Sequence, residues 1–217
     1  MDQTFVDEML ECGVRLIGER LPNFHSVTAG IWVGAGSVTE TKEENGISHL
    51  IEHMLFKGTE KRSAKQISVD VDNIGGQINA FTSKECTCYY IKVIDEKLGE
   101  GLEILTDLFC NATLLPEELD KERNVVLEEI AMSNDNPEDA AMDLISSTYF
   151  DGCSLSKTIL GPAENIRRFT RDDLKSYMDR YYTASNIVVA VAGNFDVDKL
   201  RDCLNSLFVS MNRKKLQ

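Results

Sequence analysis

The segment Gly46-Ile-Ser-His-Leu-Ile-Glu-His-Met-Leu-Phe-Lys-Gly58 constrains this chain more than any other stretch of it. It reads as a single helix closed by Gly58. Turned at about 100° per residue, the helix gathers Ile47, Leu50, Ile51, Met54 and Leu55 on one side. His49, Glu52, His53 and Phe56 fall on the other. Two imidazoles four residues apart on one face can grip one metal ion, leaving Glu52 between them free to handle a water. The plain alternative is that two histidines merely share a polar helix face. The chain has only three histidines, so this spacing is seldom accidental, and a third ligand elsewhere would decide between the two readings.

A length of 217 residues allows one large domain or two small ones. Hydrophobic content of 42% and charged content of 27% are those of a globular protein. No run approaches about 18 consecutive apolar residues, so no membrane span is expected. The N-terminus has neither the basic start nor the apolar run of a secretory signal. The six cysteines are scattered through mostly apolar segments and are expected to be reduced in a cytoplasmic protein. Cys86 and Cys88, alternate residues of one strand without a second pair, read as packing. A net charge of −13 argues against a nucleic-acid partner, which asks for a basic face. Ten acids and two bases lie between Thr113 and Asp143, so this stretch carries most of the negative charge. It is a solvated helix surface, a field that attracts a cation or basic peptides, or both.

Residues 4–10 and 14–21 carry strand-like patterns around Glu11-Cys12-Gly13, which predicts a hairpin. Ser26–Val33 continues as a third strand, and the polar loop Ser37–Asn45 leads into the His/Glu helix. Ala64–Ile74 is a second helix stopped by Gly75-Gly76. Gln77–Thr82 and Cys86–Ile94 are strands. Helices follow over Asp95–Ala112, Pro116–Ser133 and Pro137–Phe150, then a loop over Asp151–Pro162. Thr170-x-x-Asp173 opens a further helix as a capping box. Asn186–Ala192 is a buried central strand, and Asp196–Met211 a closing amphipathic helix. The pattern implies one α+β domain: a roughly six-stranded, mainly antiparallel sheet with helices packed on one face.

Within the Pro116–Ser133 helix, Glu122 and Glu129 fall inside the apolar stripe formed by Leu119, Val125, Val126 and Ile130. An unpaired carboxylate is almost never fully buried, so something positive should face this pair. A buried arginine would serve. A cation already held by two histidines would serve too, and would give the open, three-ligand site of a catalytic zinc.

The chain resembles the N-terminal half of a pitrilysin/insulinase-type zinc peptidase, nearest to the processing peptidase-like branch. Members of that family carry His-x-x-Glu-His and, about 75 residues on, a glutamate in a Glu-x6-Glu pair. Here His49-x-x-Glu52-His53 precedes Glu122-x6-Glu129, with 75 residues between His53 and Glu129. The likeness extends through Asn79-Ala-Phe-Thr-Ser-Lys-Glu85, Tyr89-Tyr90, Gly161-Pro-Ala-Glu-Asn-Ile166 and Ala190-Val-Ala-Gly-Asn194, nearly the whole chain. The resemblance implies the metallohydrolase fold of the processing peptidases. It implies one zinc ion held by His49, His53 and Glu129, with Glu52 as general base and Glu122 as an acid supporting the ligands from behind. It also places Asn79, Ala80 and Phe81 on a sheet edge where a substrate peptide adds as a strand.

Family members also carry a second, similar half, which closes over the site and helps to grip substrate. This chain stops near the end of the first half. It is expected to be a truncated piece, or a chain whose partner half is a separate subunit, so a heterodimer or dimer is implied. The function expected is zinc-dependent hydrolysis of a peptide or unfolded polypeptide. A non-catalytic metal-binding or scaffold subunit of a heterodimer is the main alternative, and a small-molecule hydrolase on a related fold is a weaker one.

Overall fold

Alternation of β-branched and aromatic residues with polar ones makes half-buried strands. In the computed structural model, which describes residues 4–209, six of them form one sheet. They are β1 (Thr4–Met9), β2 (Arg15–Arg20), β3 (Ser26–Val33), β4 (Gln77–Thr82), β5 (Thr87–Ile94) and β6 (Ile187–Gly193). The spatial order is β1-β2-β6-β3-β5-β4. Every pairing is antiparallel except β2 with β6. The late strand β6 thus slots between β2 and β3, where the apolar run Ile-Val-Val-Ala-Val-Ala is paired on both sides. The α+β, mainly antiparallel architecture expected from the sequence is the one found.

Eight α-helices accompany the strands among the described residues: α1 (Ile47–Leu55), α2 (Ala64–Asn73), α3 (Leu98–Asn111), α4 (Pro116–Asp135), α5 (Pro137–Tyr149), α6 (Ala163–Arg168), α7 (Arg171–Tyr181) and α8 (Val197–Leu207). The predicted capping box is present, with Thr170 and Asp173 bonding each other's backbone N–H. Most boundaries shift by a residue or two. The predicted Asp95–Ala112 helix begins with a 3-10 turn at Asp95–Lys97, and α4 runs on to Asp135. Helix α6 was not anticipated, being too short at six residues to show a helical period. The closing helix is seen to Leu207, and the predicted end at Met211 lies outside the described residues. Among those residues no helix is long and apolar enough to cross a membrane.

The core lies between the sheet and the helices on one face, where Tyr89, Tyr177, Leu50, Ile51, Met54 and Ile91 are fully buried. Across the other face runs a shallow apolar groove of about 730 Å³. There Phe5, Ile17, Trp32 and Phe81 keep a third or more of their surface exposed.

Arg62 staples the turn after α1 to α2 and α3. Its Nε donates to Asp70 (2.9 Å), Nη1 to Asp107 (2.7 Å) and Nη2 to Glu103 (2.5 Å), while Thr59 Oγ1 also donates to Asp107 (2.7 Å). The Asp107 side chain is only 2% exposed. Removing the guanidinium leaves that carboxylate buried without its counter-charge, with only Thr59 and Asn111 still donating to it, a change worth about 3–5 kcal/mol. Arg62→Ala is therefore expected to lower unfolding free energy by that amount in urea titrations. A loss below about 1 kcal/mol would show that water replaces the guanidinium at little cost.

Candidate metal centre

Helix α1 is held at both ends by groups outside it. Its first backbone N–H groups lack intrahelical acceptors, and the buried carboxylate of Glu40 fills that role. Glu40 accepts from Gly46 N and Ser48 N, each at 2.9 Å, and from the Asn45 side chain, also at 2.9 Å. A negative charge here also suits the positive end of the helix dipole. Gly46 has φ near 100°, and a side chain on it would strike the Leu160 carbonyl at 2.6 Å. Only glycine fits where the 151–162 loop crosses the start of the helix. Glu40 lies in a stretch that the sequence marks only as a polar loop, and nothing in its spacing distinguishes it from Glu43 or Glu44.

So anchored, α1 buries Ile47, Leu50, Ile51, Met54 and Leu55 and leaves His49, Glu52 and His53 half-buried on its outer side. Helix α4 packs across this side, tied down by Arg123, which donates to the carbonyls of Ile166 (3.1 Å) and Phe169 (2.9 Å). The crossing brings Glu129 to the histidines. Its Oε2 stands 3.6 Å from Nε2 of His49 and 3.6 Å from Nε2 of His53. The three candidate ligand atoms lie within 4.8 Å of one another.

The chemistry of these atoms fits a cation. Burial, helped by the neighbouring His53 ring, pushes the His49 imidazole down to about 4, so it is neutral at neutral pH. The other ring nitrogen of His53, Nδ1, lies 3.2 Å from Oε2 of Glu122. An ionised carboxylate accepts only, so in a neutral ring this contact favours the tautomer with the proton on Nδ1 and the Nε2 lone pair toward the cluster. Two imidazole nitrogens and a carboxylate oxygen thus converge on one spot. Tetrahedral zinc with ligands at about 2.0–2.2 Å asks for donors about 3.3 Å apart, close to the spacings seen. His49 is braced differently from His53, since its Nδ1 is buried without a hydrogen-bond partner.

Glu52 stands outside this cluster. Its Oε2 accepts from Thr82 Oγ1 at 2.5 Å, tying it to the end of β4. Burial raises its carboxyl above the usual range, against the Thr82 hydrogen bond and the His53 ring, which favour the charged form. Thr82 was not singled out in the sequence, where it is one of several small residues after the Asn79–Phe81 stretch. Strand β4 is one of the sheet's two edge strands. Ala80 and Phe81 line a cleft with His49, Glu52, Met142 and Asp143. Asn79 is exposed, is not among that cleft's lining residues, and holds the Ala80 N–H with its own Oδ1 at 2.9 Å.

Glu122 is buried as the helical pattern required, with its side chain only 7% exposed. A positive partner for it is Lys57 rather than an arginine, with Nζ 2.8 Å from Oε1. Glu129 was expected in the same apolar stripe, yet its side chain is 38% exposed. Val125, about one helical turn earlier, is 42% exposed as well. The second half of α4 has less packed over it than the first.

Two family models match the chain. One, described as insulinase (peptidase family M16), covers residues 15–163. The chain belongs to the M16 peptidase family. The second, described as the M16 peptidase inactive domain, covers residues 168–217. That segment holds none of the residues of the centre, and it supplies β6 to the middle of this same sheet.

An uncharacterized zinc protease of Bacillus subtilis is 48% identical over 88% of this M16 chain and 46% of its own length. A probable mitochondrial-processing peptidase subunit beta of Arabidopsis thaliana is 36% identical over 92% of this chain and 38% of its own. The crystal structure of a protease from Helicobacter pylori superposes with a TM-score of 0.90 at 25% identity. It covers 99% of this chain and 52% of that one. The chain thus spans about half the length of these relatives, or less.

Proposed function

We propose that this M16 chain is the metal-bearing half of a zinc-dependent endopeptidase. One observation carries the reading: the candidate ligand atoms of His49, His53 and Glu129 converge beside a carboxylate, Glu52, that belongs to the site without joining the cluster. A zinc ion held by the three residues would supply Lewis acidity and a water of lowered pKa. Glu52 is placed to take a proton from the attacking water and return it to the departing amine. Thr82 keeps that carboxylate aimed while β4, next to it, offers an edge on which an extended peptide can add as a strand. Ala80 and Phe81 contact that peptide in this reading. Asn79 must release the Ala80 N–H if that donor is to enter the ladder.

The chain's partner in this proposal is a second homologous half or subunit. The apolar side chains Met132, Met142, Leu144, Ile145 and Tyr149 on α4 and α5 are 60–80% exposed beside the centre, a surface suited to cover by more protein. Peptide hydrolysis needs the substrate held near attack geometry and water excluded from the developing oxyanion, and a facing half would serve both ends. Cytoplasmic placement enters the proposal on the cysteine pattern alone.

The test is a quenched-peptide assay on zinc-loaded chain, with and without the downstream half. Slow cleavage by the chain alone is expected, rising at least about 10²-fold with the second half, since each oxyanion donor lost costs about 10²–10³. A chelator should abolish the activity and added zinc restore it. Chelator-insensitive cleavage would refute the zinc mechanism. Full turnover by the isolated chain, with no rise on adding the second half, would refute the division of labour.

A further inference from the structure

We propose that Lys57 is a positioning residue for the metal centre: by engaging one oxygen of Glu122 it reserves the other for His53, and so fixes which His53 nitrogen faces the cation. The inference rests on the reading of His53 as a ligand, and deepens it.

The argument begins with three side chains in a row. Lys57 Nζ lies 2.8 Å from Glu122 Oε1, and Glu122 Oε2 lies 3.2 Å from His53 Nδ1. His53 Nε2 then lies 3.6 Å from Glu129. Glu122 is nearly inaccessible to water, with 7% of its side chain exposed, while Lys57 is 30% exposed and reaches in from the end of α1. A buried carboxylate that loses its charged partner is free to rotate in place or to swing toward solvent. Either change removes the fixed acceptor behind His53. With Lys57 in place, Oε1 is occupied, the carboxylate plane is set, and Oε2 is left as an acceptor for Nδ1–H.

The tautomer matters because only a bare nitrogen can ligate a metal, and the hydrogen bond made by the other nitrogen selects it. His49 has no such brace, since its Nδ1 lacks any partner. The influence of Lys57 should therefore reach one of the two histidines and not the other. Lys57 also crosses from the α1 end to α4, two helical turns from Glu129. A purely mechanical role would disturb both histidines alike.

That difference gives the test. The chain has three histidines, His25, His49 and His53, so long-range proton–nitrogen spectra of the metal-free protein resolve each ring. At about pH 8, where an ordinary imidazole is neutral, wild-type His53 should show a protonated Nδ1 and a bare Nε2. In Lys57→Met it should become a mixture of tautomers, while Lys57→Arg, which keeps charge and reach, should retain the wild-type pattern. Glu122→Gln should push His53 further toward protonation at Nε2. Lys57 would hold the amide oxygen, turning the amide N–H₂ donor toward Nδ1.

His49 and exposed His25 should not change. A His53 pattern unaltered in Lys57→Met, or equal changes at His49, would overturn the proposal. Zinc affinity by chelator competition is the second arm. Lys57→Met should weaken binding about 10–100-fold, as loss of a ligand's supporting partner does, with no further loss when Glu122 is already glutamine. Multiplying losses in the double variant would mean that Lys57 does not act through Glu122. Failure of the wild-type chain to bind zinc would count against the metal reading itself, and the spectra of the metal-free protein would still decide the role of Lys57.

Discussion

Glu52→Gln in a zinc-loaded, two-half assembly is expected to lower peptide hydrolysis about 10²–10⁴-fold, the usual worth of a positioned general base. The substitution keeps shape and hydrogen bonding. Thr82 Oγ1, 2.5 Å from Oε2 in the native site, can still donate to the amide oxygen. The helix face and the apolar stripe beneath it are untouched, so folding should be unaffected. What disappears is the ability to accept a proton at a site one residue from His53. Because Glu52 is not part of the converging His49–His53–Glu129 set, zinc should stay bound. Steady-state kinetics should show the loss in kcat with KM little changed. Residual activity within tenfold of wild type would remove Glu52 from the role of base.

Much of this site was legible because helical geometry is regular. The spacing of His49, Glu52 and His53 fixes their common face once α1 is a helix, and α1 forms because five apolar residues fall on the opposite side. The strands at Ser26–Val33 and Gln77–Thr82 lie within the bounds expected for them, Gln77–Thr82 having been legible through its strand-forming residue types. The position of Glu122 inside a stripe of Leu119 and Val126 correctly implied burial with a positive partner. It could not name the partner, since Lys57 lies 65 residues earlier and meets Glu122 only through the packing of α1 on α4.

The same helical projection overestimated the burial of Glu129 and Val125. A wheel averages along the helix, whereas cover over α4 thins toward its C-terminal half, where Met132 is 70% exposed. The parallel pairing of β2 with β6, residues apart by most of the chain, has no local trace. Nor do the contacts of Glu40 and Thr82, which depend on where a loop and a strand end come to rest.

Glu129→Gln is expected to lose zinc almost completely. Each member of the cluster comes from a different constraint: the two histidines from one helix face, the glutamate from a second helix crossing it. Only Glu129 brings negative charge to the three ligand atoms, and its Oε2 is the atom that faces both imidazole nitrogens at 3.6 Å. A neutral amide is a poor substitute for a carboxylate toward zinc. The loss should exceed the about 10–100-fold expected for residues that only support a ligand from behind. At 38% exposure the side chain pays little desolvation in either form, so folding stability should barely change and the effect should be specific to the metal.

Zinc content per chain, measured side by side on wild type, Glu129→Gln and Glu52→Gln after equilibration with a small excess of zinc and removal of loosely bound ion, tests the central claim most directly. One ion in the wild type, one in Glu52→Gln and almost none in Glu129→Gln is the result that this arrangement of ligands and base predicts. Equal zinc loss in the two variants, or full occupancy in Glu129→Gln, would contradict it.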